Sequence, residues 1–267
     1  VGRYLSVTCF SNILTPECDD IYGSEIQMTA NWPSRTAVDF NFDVWVANRA
    51  FDGQPSVTKI ANDPADCVDR NGNGTIDTST DHDGDGQIET DCNGDGVPDD
   101  FSTVCDNGLP PEYLSTTDEC VLFTVNFGGI NELGRSVCLD AGELSPDGVH
   151  IGPGNAWVGT NSRTPNNQYF KLDGTSGGVL ETVDLPEGIN PYGCAVDSDG
   201  ILWISGQGGG TIAWIDTVDP SNVAPAAFTS PFGSNTFYGI AIDEDQNVWL
   251  GGWDSQAVYR YEPDRTS

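Results

Sequence analysis

Residues 192–216 read YGCAVDSDGILWISGQGGGTIAWID, and residues 238–262 read YGIAIDEDQNVWLGGWDSQAVYRYE. Trp203 and Trp249 stand 46 positions apart, and Trp157, in GVHIGPGNAWVGTNSRTPNNQYFKLD, stands 46 before Trp203. An earlier copy, TAVDFNFDVWVANRAFDGQPSVTKI at 36–60, puts Trp45 in the same slot. Each unit has an apolar strand, an acidic or glycine turn (197–200, 243–247), a strand centred on Trp, then a looser loop and a third strand. A fourth strand, such as VLETVDL at 179–185, leads into the next unit. Four strands in each forty to fifty residues mark a propeller blade. The chain therefore reads as all-β, a β-propeller with about four recognisable blades. Four is at the low end for propellers, so the reading leans toward a larger propeller of which these blades are part.

The unit PYGCAVDSDGILWIS resembles the repeats of the NHL, gluconolactonase and streptogramin-lyase group of propellers, over roughly residues 25–60 and 121–262. The resemblance implies a propeller whose central channel hosts any catalytic site. From Trp45 to Trp157 the interval is 112, which exceeds one repeat by 66 residues. The excess is assigned to an insertion leaving a blade edge. The domain reading is thus 1–60 for N-terminal strands and the first recognised blade, 61–120 for the insertion, and 121–267 for the remaining blades. The end VYRYEP reads as a third strand and VGRYLSV at the start as a fourth, so the N-terminal strand either completes the last blade or belongs to a longer propeller cut at that point.

Within the insertion, residues 69–99 read DRNGNGTIDTSTDHDGDGQIETDCNGDGVPD. Asp or Asn recurs at alternate positions in three segments, and a Gly follows the third oxygen-bearing residue of each. Alternate side chains in a tight loop point toward one centre, so Asp69, Asn71 and Asn73, then Asp81, Asp83 and Asp85, then Asp91, Asn93 and Asp95 can each surround a cation. Asp77 or Asp81 closes the first site, Glu89 or Asp91 the second, and Asp99 stands at the end of the third. Hard oxygen ligands point to calcium, two to three ions, rather than zinc or copper. Position twelve of an EF-hand loop falls on Thr80, Cys92 and Ser102, so its bidentate Glu is missing, and no amphipathic helix flanks the loops. The run resembles the helix-free calcium repeats of thrombospondin type 3.

Acids outnumber bases 41 to 10, a net charge of -31, which disfavours nucleic acid and anionic membranes as partners. No apolar window is long enough for a transmembrane helix. Eight cysteines, none in zinc-like spacing, read as disulfides and place the chain in an oxidising, extracellular or cell-surface compartment. Cys9 pairs most simply with Cys18. Two bridges are expected among Cys67, Cys92, Cys105 and Cys120, with connectivity open. Cys138 and Cys194 fall at nearly the same place in successive repeats, where a bridge across neighbouring blades is feasible if those strands are innermost. Two buried free thiols are the alternative.

No GxSxG elbow, phosphate loop or HExxH motif occurs. His82 reads as a solvated residue inside the second loop. His150, read on the strand before Trp157 and facing the channel, is the one candidate catalytic residue; streptogramin lyases use a histidine-centred, metal-assisted site, and its second histidine has no counterpart in the matching repeats. Asp39, Asp197 and Asp243 recur, which favours a turn-capping role. The repeated Trp residues read as packing rather than sugar stacking. The functional expectation is a secreted calcium-binding propeller acting as a structural or protein-interaction module, partnered by another protein or by copies of itself, with carbohydrate as a further candidate ligand. The alternative is an extracellular lyase or hydrolase with a central-channel site.

Overall fold

The computed structural model describes residues 31–50, 53–100, 102–130, 132–162, 167–207, 209–226, 228 and 236–264. The expected Cys9–Cys18 bridge and the N-terminal strand lie outside these residues. Three four-stranded sheets and one three-stranded sheet, all antiparallel, form four successive blades, so the fold is an all-β propeller.

The first blade runs β1 (Asn31–Val38), β2 (Val44–Ala50), β3 (Ser56–Ile60) and β4 (Val121–Asn126) in spatial order. Residues 61–120 leave between β3 and β4, and the strand after them returns to complete this blade. The second blade begins with β5 (Glu132–Leu139), leaves it for a small hairpin of β6 (Glu143–Leu144) and β7 (His150–Ile151), and continues with β8 (Ala156–Ser162), β9 (Gln168–Leu172) and β10 (Val179–Asp184). The third holds β11 (Pro191–Val196), β12 (Ile201–Gly206), β13 (Ile212–Asp216) and β14 (Val223–Pro225). The fourth holds β15 (Phe237–Ile242), β16 (Val248–Gly252) and β17 (Ala257–Tyr261).

The apolar faces of the strands close against the next blade, not within a single sheet. Trp45, Ala47 and Val57 of the first blade pack with Val137, Val158 and Phe170 of the second. Trp157 and Tyr169 pack with Leu202, Ile204 and Ile215 of the third, and Trp203 and Ile212 with Phe237, Leu250 and Tyr259 of the fourth. Each Trp is thus the wedge between its own blade and its successor, each buried aromatic contributing several kcal/mol, on the order of 3–5, against truncation. Trp249 has no following blade among the described residues and is 38% exposed.

One carboxylate repeats in every blade. Asp39, Asp140, Asp197 and Asp243 accept the indole N–H of Trp45, Trp157, Trp203 and Trp249 at 2.7–2.9 Å. The other oxygen accepts backbone N–H groups of the turn, as Asp39 Oδ1 does from Asn41 and Asp43 and Asp197 Oδ1 from Asp199 and Ile201. The recurrent Asp is therefore a turn cap and a tether for the Trp. Opposite Trp45 and Trp157 in the neighbouring strand stand Lys59 and Lys171, the two lysines of the chain. Each lies over its indole and pairs with the same Asp, Lys59 with Asp39 at 2.8 Å and Lys171 with Asp140 at 3.4 Å.

The second blade corrects two sequence expectations. The inner strand paired with that of Trp157 is β5, which ends at Leu139 just before Asp140, and not the segment carrying His150. Asp and Trp are six residues apart in three blades and seventeen apart here, because the β6–β7 hairpin replaces a tight turn. Part of the excess length between Trp45 and Trp157 therefore belongs to this hairpin and not to the insertion.

The innermost strands are β1, β5, β11 and β15, each at one edge of its sheet. A disulfide joins Cys138 of β5 to Cys194 of β11, with Cα atoms 6.0 Å apart, so the bridge does cross neighbouring blades.

Candidate metal centre

The insertion contains almost no regular structure, and its organisation comes from side-chain oxygens. The three loops repeat one nine-residue design, beginning at Asp69, Asp81 and Asp91. The first Asp accepts the N–H of the Gly five residues on: Gly74 to Asp69 Oδ2, Gly86 to Asp81 Oδ2, and Gly96 to Asp91 Oδ2, at 2.9–3.0 Å. The third residue accepts from the fifth, as Asn71 Oδ1 does from Asn73 N, Asp83 from Asp85 and Asn93 from Asp95. The fifth accepts from the seventh, Thr75, Gln87 or Val97. Consecutive Asx turns of this kind curl the backbone so that alternate side chains share one side. The Gly at the fourth and sixth places of each loop has φ between 68° and 88°, a left-handed backbone that a Cβ would strain.

The ninth residue closes the loop. Asn71 and Asn73 both donate a side-chain N–H to Asp77 Oδ2, at 2.7 and 2.8 Å. Carboxylate oxygens of Asp83, Asp85 and Glu89 lie within 4.8 Å of one another. In the third loop Asp99 is buried, and its Oδ2 accepts from Cys92 N while its Oδ1 has no hydrogen-bond partner. All twelve sequence-predicted ligands thus fall on three loops of common design.

Two glutamates that the sequence reading did not single out hold these loops from behind. Glu119, buried, accepts from the backbone N–H of Arg70, Asn71 and Asp77. Glu112, also buried, accepts from His82, Asp83 and Glu89, the equivalent positions of the second loop. Glu112 also brings a carboxylate oxygen within 4.8 Å of those of Asp81 and Asp83. No spacing rule reaches from residue 83 to residue 112, which is why the local pattern omits it. His82 is exposed and joins the network only through its backbone N–H.

Charge crowding follows the same layout. Burial alone would raise the Glu112 carboxyl, but its backbone donors Glu89, His82 and Asp83 hold it below its ordinary value. Glu89 is raised, first by desolvation and then by the charges of Asp83, Glu112, Asp85 and Asp99. Asp99 is raised by burial and by Asp91, Asp95 and Asp100, against the Cys92 N–H. Crowded carboxylates and a buried, unpartnered carboxylate oxygen are the environment a bound hard cation relieves. The donor set is all oxygen and suits calcium. The grouping of Asp99 with Cys92 and Cys105 offers no thiolate, because those cysteines are bonded to each other.

Disulfides anchor the insertion at both ends of this array. Cys67–Cys120 ties its two ends together beside β3 and β4, and Cys92–Cys105 closes the third loop. A small apolar contact of Ile88 with Tyr113 is its own core. Arg70 donates to the carbonyls of Asp118, Val121 and Leu122, fixing the first loop to the start of β4.

The other sequence-predicted site is His150. It is exposed on the β6–β7 hairpin, stacked on Phe40 at 3.5 Å, with Nδ1 3.1 Å from the Ala141 carbonyl. It stands on the rim of a cavity of about 860 Å³ bounded by the turns that carry Asp140, Asp197 and Asp243. Those three carboxylates are occupied by their indoles and turn N–H groups.

No family model and no curated protein matches the sequence. Among solved structures, the chain resembles a streptogramin B lyase (13% identity, 90% of this chain and 57% of that one, TM-score 0.47). It also resembles a gluconolactonase from Xanthomonas campestris (12%, 84% and 55%, TM-score 0.42) and a luciferin-regenerating enzyme (10%, 87% and 55%, TM-score 0.44). The chain spans little more than half the length of these structures, and scores at this level do not bear on activity.

Proposed function

We propose that the chain is a secreted or cell-surface calcium-binding β-propeller that serves as a structural or protein-interaction module, self-assembly included. The observation that carries this reading is the threefold loop, closed by Asp77, Glu89 and Asp99 and braced by Glu119 and Glu112. Asp69, Asn71, Asn73 and Asp77 would hold one ion. Asp81, Asp83, Asp85 and Glu89, with Glu112, would hold a second, and Asp91, Asn93, Asp95 and Asp99 a third. The helix-free arrangement supports the likeness to thrombospondin type 3 repeats. Calcium supplies charge neutralisation, and with it folding free energy: ordering this segment costs roughly 1–2 kcal/mol per residue in backbone entropy, which its few apolar contacts do not offset. Three disulfides among the described residues, and the absence among them of any helix long and apolar enough to cross a membrane, are compatible with an extracellular setting.

Limited proteolysis tests this reading. In calcium, residues 66–100 resist cleavage; in chelator they are cut while the blades persist. Equal cleavage in both conditions contradicts it.

The cavity beside His150 favours a second reading, an extracellular lyase or hydrolase working in the central channel. It requires turnover that is lost in His150→Ala.

A further inference from the structure

The chain has ten basic residues, and seven of them are described: two lysines and five arginines. Lys59 and Lys171 are bound to the blade aspartates, Arg70 to backbone carbonyls, and Arg260 to Glu262. Arg35, Arg49 and Arg135 come together at one place, although they derive from β1, β2 and β5.

The place is set by a feature common to the inner strands. Each carries a β-bulge three residues before the partner of its Trp, at Ser34, Arg135, Tyr192 and Tyr238. A bulge turns a side chain away from the alternation of the strand. Tyr192 and Tyr238 meet at a tilt of 47° with centroids 4.5 Å apart. Arg35 lies 5.1 and 5.3 Å from their rings, and Arg135 lies 4.8 Å from Tyr192. Trp253, 67% exposed, stands 5.3 Å beyond Tyr238. Arg35 and Tyr238 line a cavity of about 350 Å³ with Ser136, Gly193 and Ile240, so residues of all four inner strands bound it.

A guanidinium over an aromatic ring still has five N–H donors, more than the contacts made here use. Arg35 donates to the carbonyl of its neighbour Ser34 and hydrogen-bonds the Tyr238 hydroxyl. Arg135 donates to Tyr192 Oη at 3.2 Å, and its Nε is buried without a partner. No carboxylate of the described residues forms an ion pair with Arg35 or Arg135, in a chain of 41 acids. Burial lowers the Arg135 guanidinium, and the charges of Arg49 and Arg35 lower it further, against the pull of Tyr192 and Tyr238. Arg35 and Arg135, held together in this way with no carboxylate of the described residues paired to either and the Arg135 Nε unmatched, are a receptor for an anion.

We infer that Arg35 and Arg135, walled by Tyr192 and Tyr238, form a binding site in the central channel for the oxyanion group of a small ligand. The site is independent of the calcium loops, and its failure would leave the calcium reading untouched. Carboxylate and sulfate share the forked chemistry, and the rings favour an organic carboxylate with an aromatic body.

The test is calorimetric titration of the full chain, in calcium and at ionic strength fixed with chloride, with sodium benzoate and separately with sodium sulfate. Saturable one-to-one binding is expected for at least one of them, weakened roughly tenfold or more in Arg35→Gln and in Arg135→Gln. Arg35→Lys, which keeps the charge and loses the fork, should fall between. Tighter benzoate assigns an organic carboxylate, and tighter sulfate a tetrahedral anion. If Arg135→Gln does not fold, Arg35→Gln and Arg35→Lys carry the comparison. Absence of saturable binding of both anions by the unaltered chain, or equal binding by the Arg35 variants, overturns the inference.

Discussion

The buried carboxylate of Glu119 accepts the backbone N–H of Asp77, the residue closing the first candidate calcium loop, at 2.9 Å across 42 positions of sequence. Glu112 makes the matching contact with Glu89 in the second loop at 3.2 Å. The loops thus carry the candidate ligands, while Glu119 shapes the first loop and Glu112 both shapes the second and joins its carboxylate cluster.

Glu119→Gln should weaken calcium binding at the first loop roughly tenfold or more, without removing any ligand proposed there, because support residues of this kind carry about 10–100-fold in metal affinity. Glu112→Gln should weaken the second. Titration of each variant should show one site shifted and the others retained; uniform behaviour across all sites would show that the glutamates do not act loop by loop.

Lys59, 3% exposed, is buried between Asp39 and Asp43, whereas Lys171, 16% exposed, pairs with Asp140 alone at a longer distance. Removing a cation from a buried pair strands the carboxylates, at about 3–5 kcal/mol. Lys59→Met should therefore lower the denaturation midpoint well below that of Lys171→Met. Equal midpoints would contradict the assigned difference in burial.

Trp203 fills the joint between the third and fourth blades, and Trp249 faces outward from the fourth. Trp203→Ala should cost about 3–5 kcal/mol and Trp249→Ala much less in the monomer. Chemical denaturation of the two variants decides it. A large loss for Trp249→Ala would mean that another segment or a second molecule covers that face.

The Cys138–Cys194 bridge links two inner strands across 56 positions, a span for which chain entropy gives about 4 kcal/mol. The double variant Cys138→Ala/Cys194→Ala should unfold at lower denaturant by a comparable amount, with the calcium loops intact. An unchanged midpoint would reduce the bridge to a passive one.

The blades were legible in the sequence because Trp45, Trp203 and Trp249 sit six residues after an Asp that tethers them, a local rule. The same rule failed at Trp157, where the β6–β7 hairpin separates tether from indole and His150 took the place of β5 in the alignment. The turn geometry of the candidate calcium loops is legible for the same reason, being local. Glu112, Glu119 and the Arg35–Arg135 pairing are not, since each contact is made only after distant strands or loops meet.

Calcium content of the native chain tests the central claim most directly. After exhaustive removal of free ions, two to three calcium ions per chain are expected, released by chelator together with protection of residues 66–100 against protease. A chain that holds no calcium, with that segment equally protected in chelator, would contradict it.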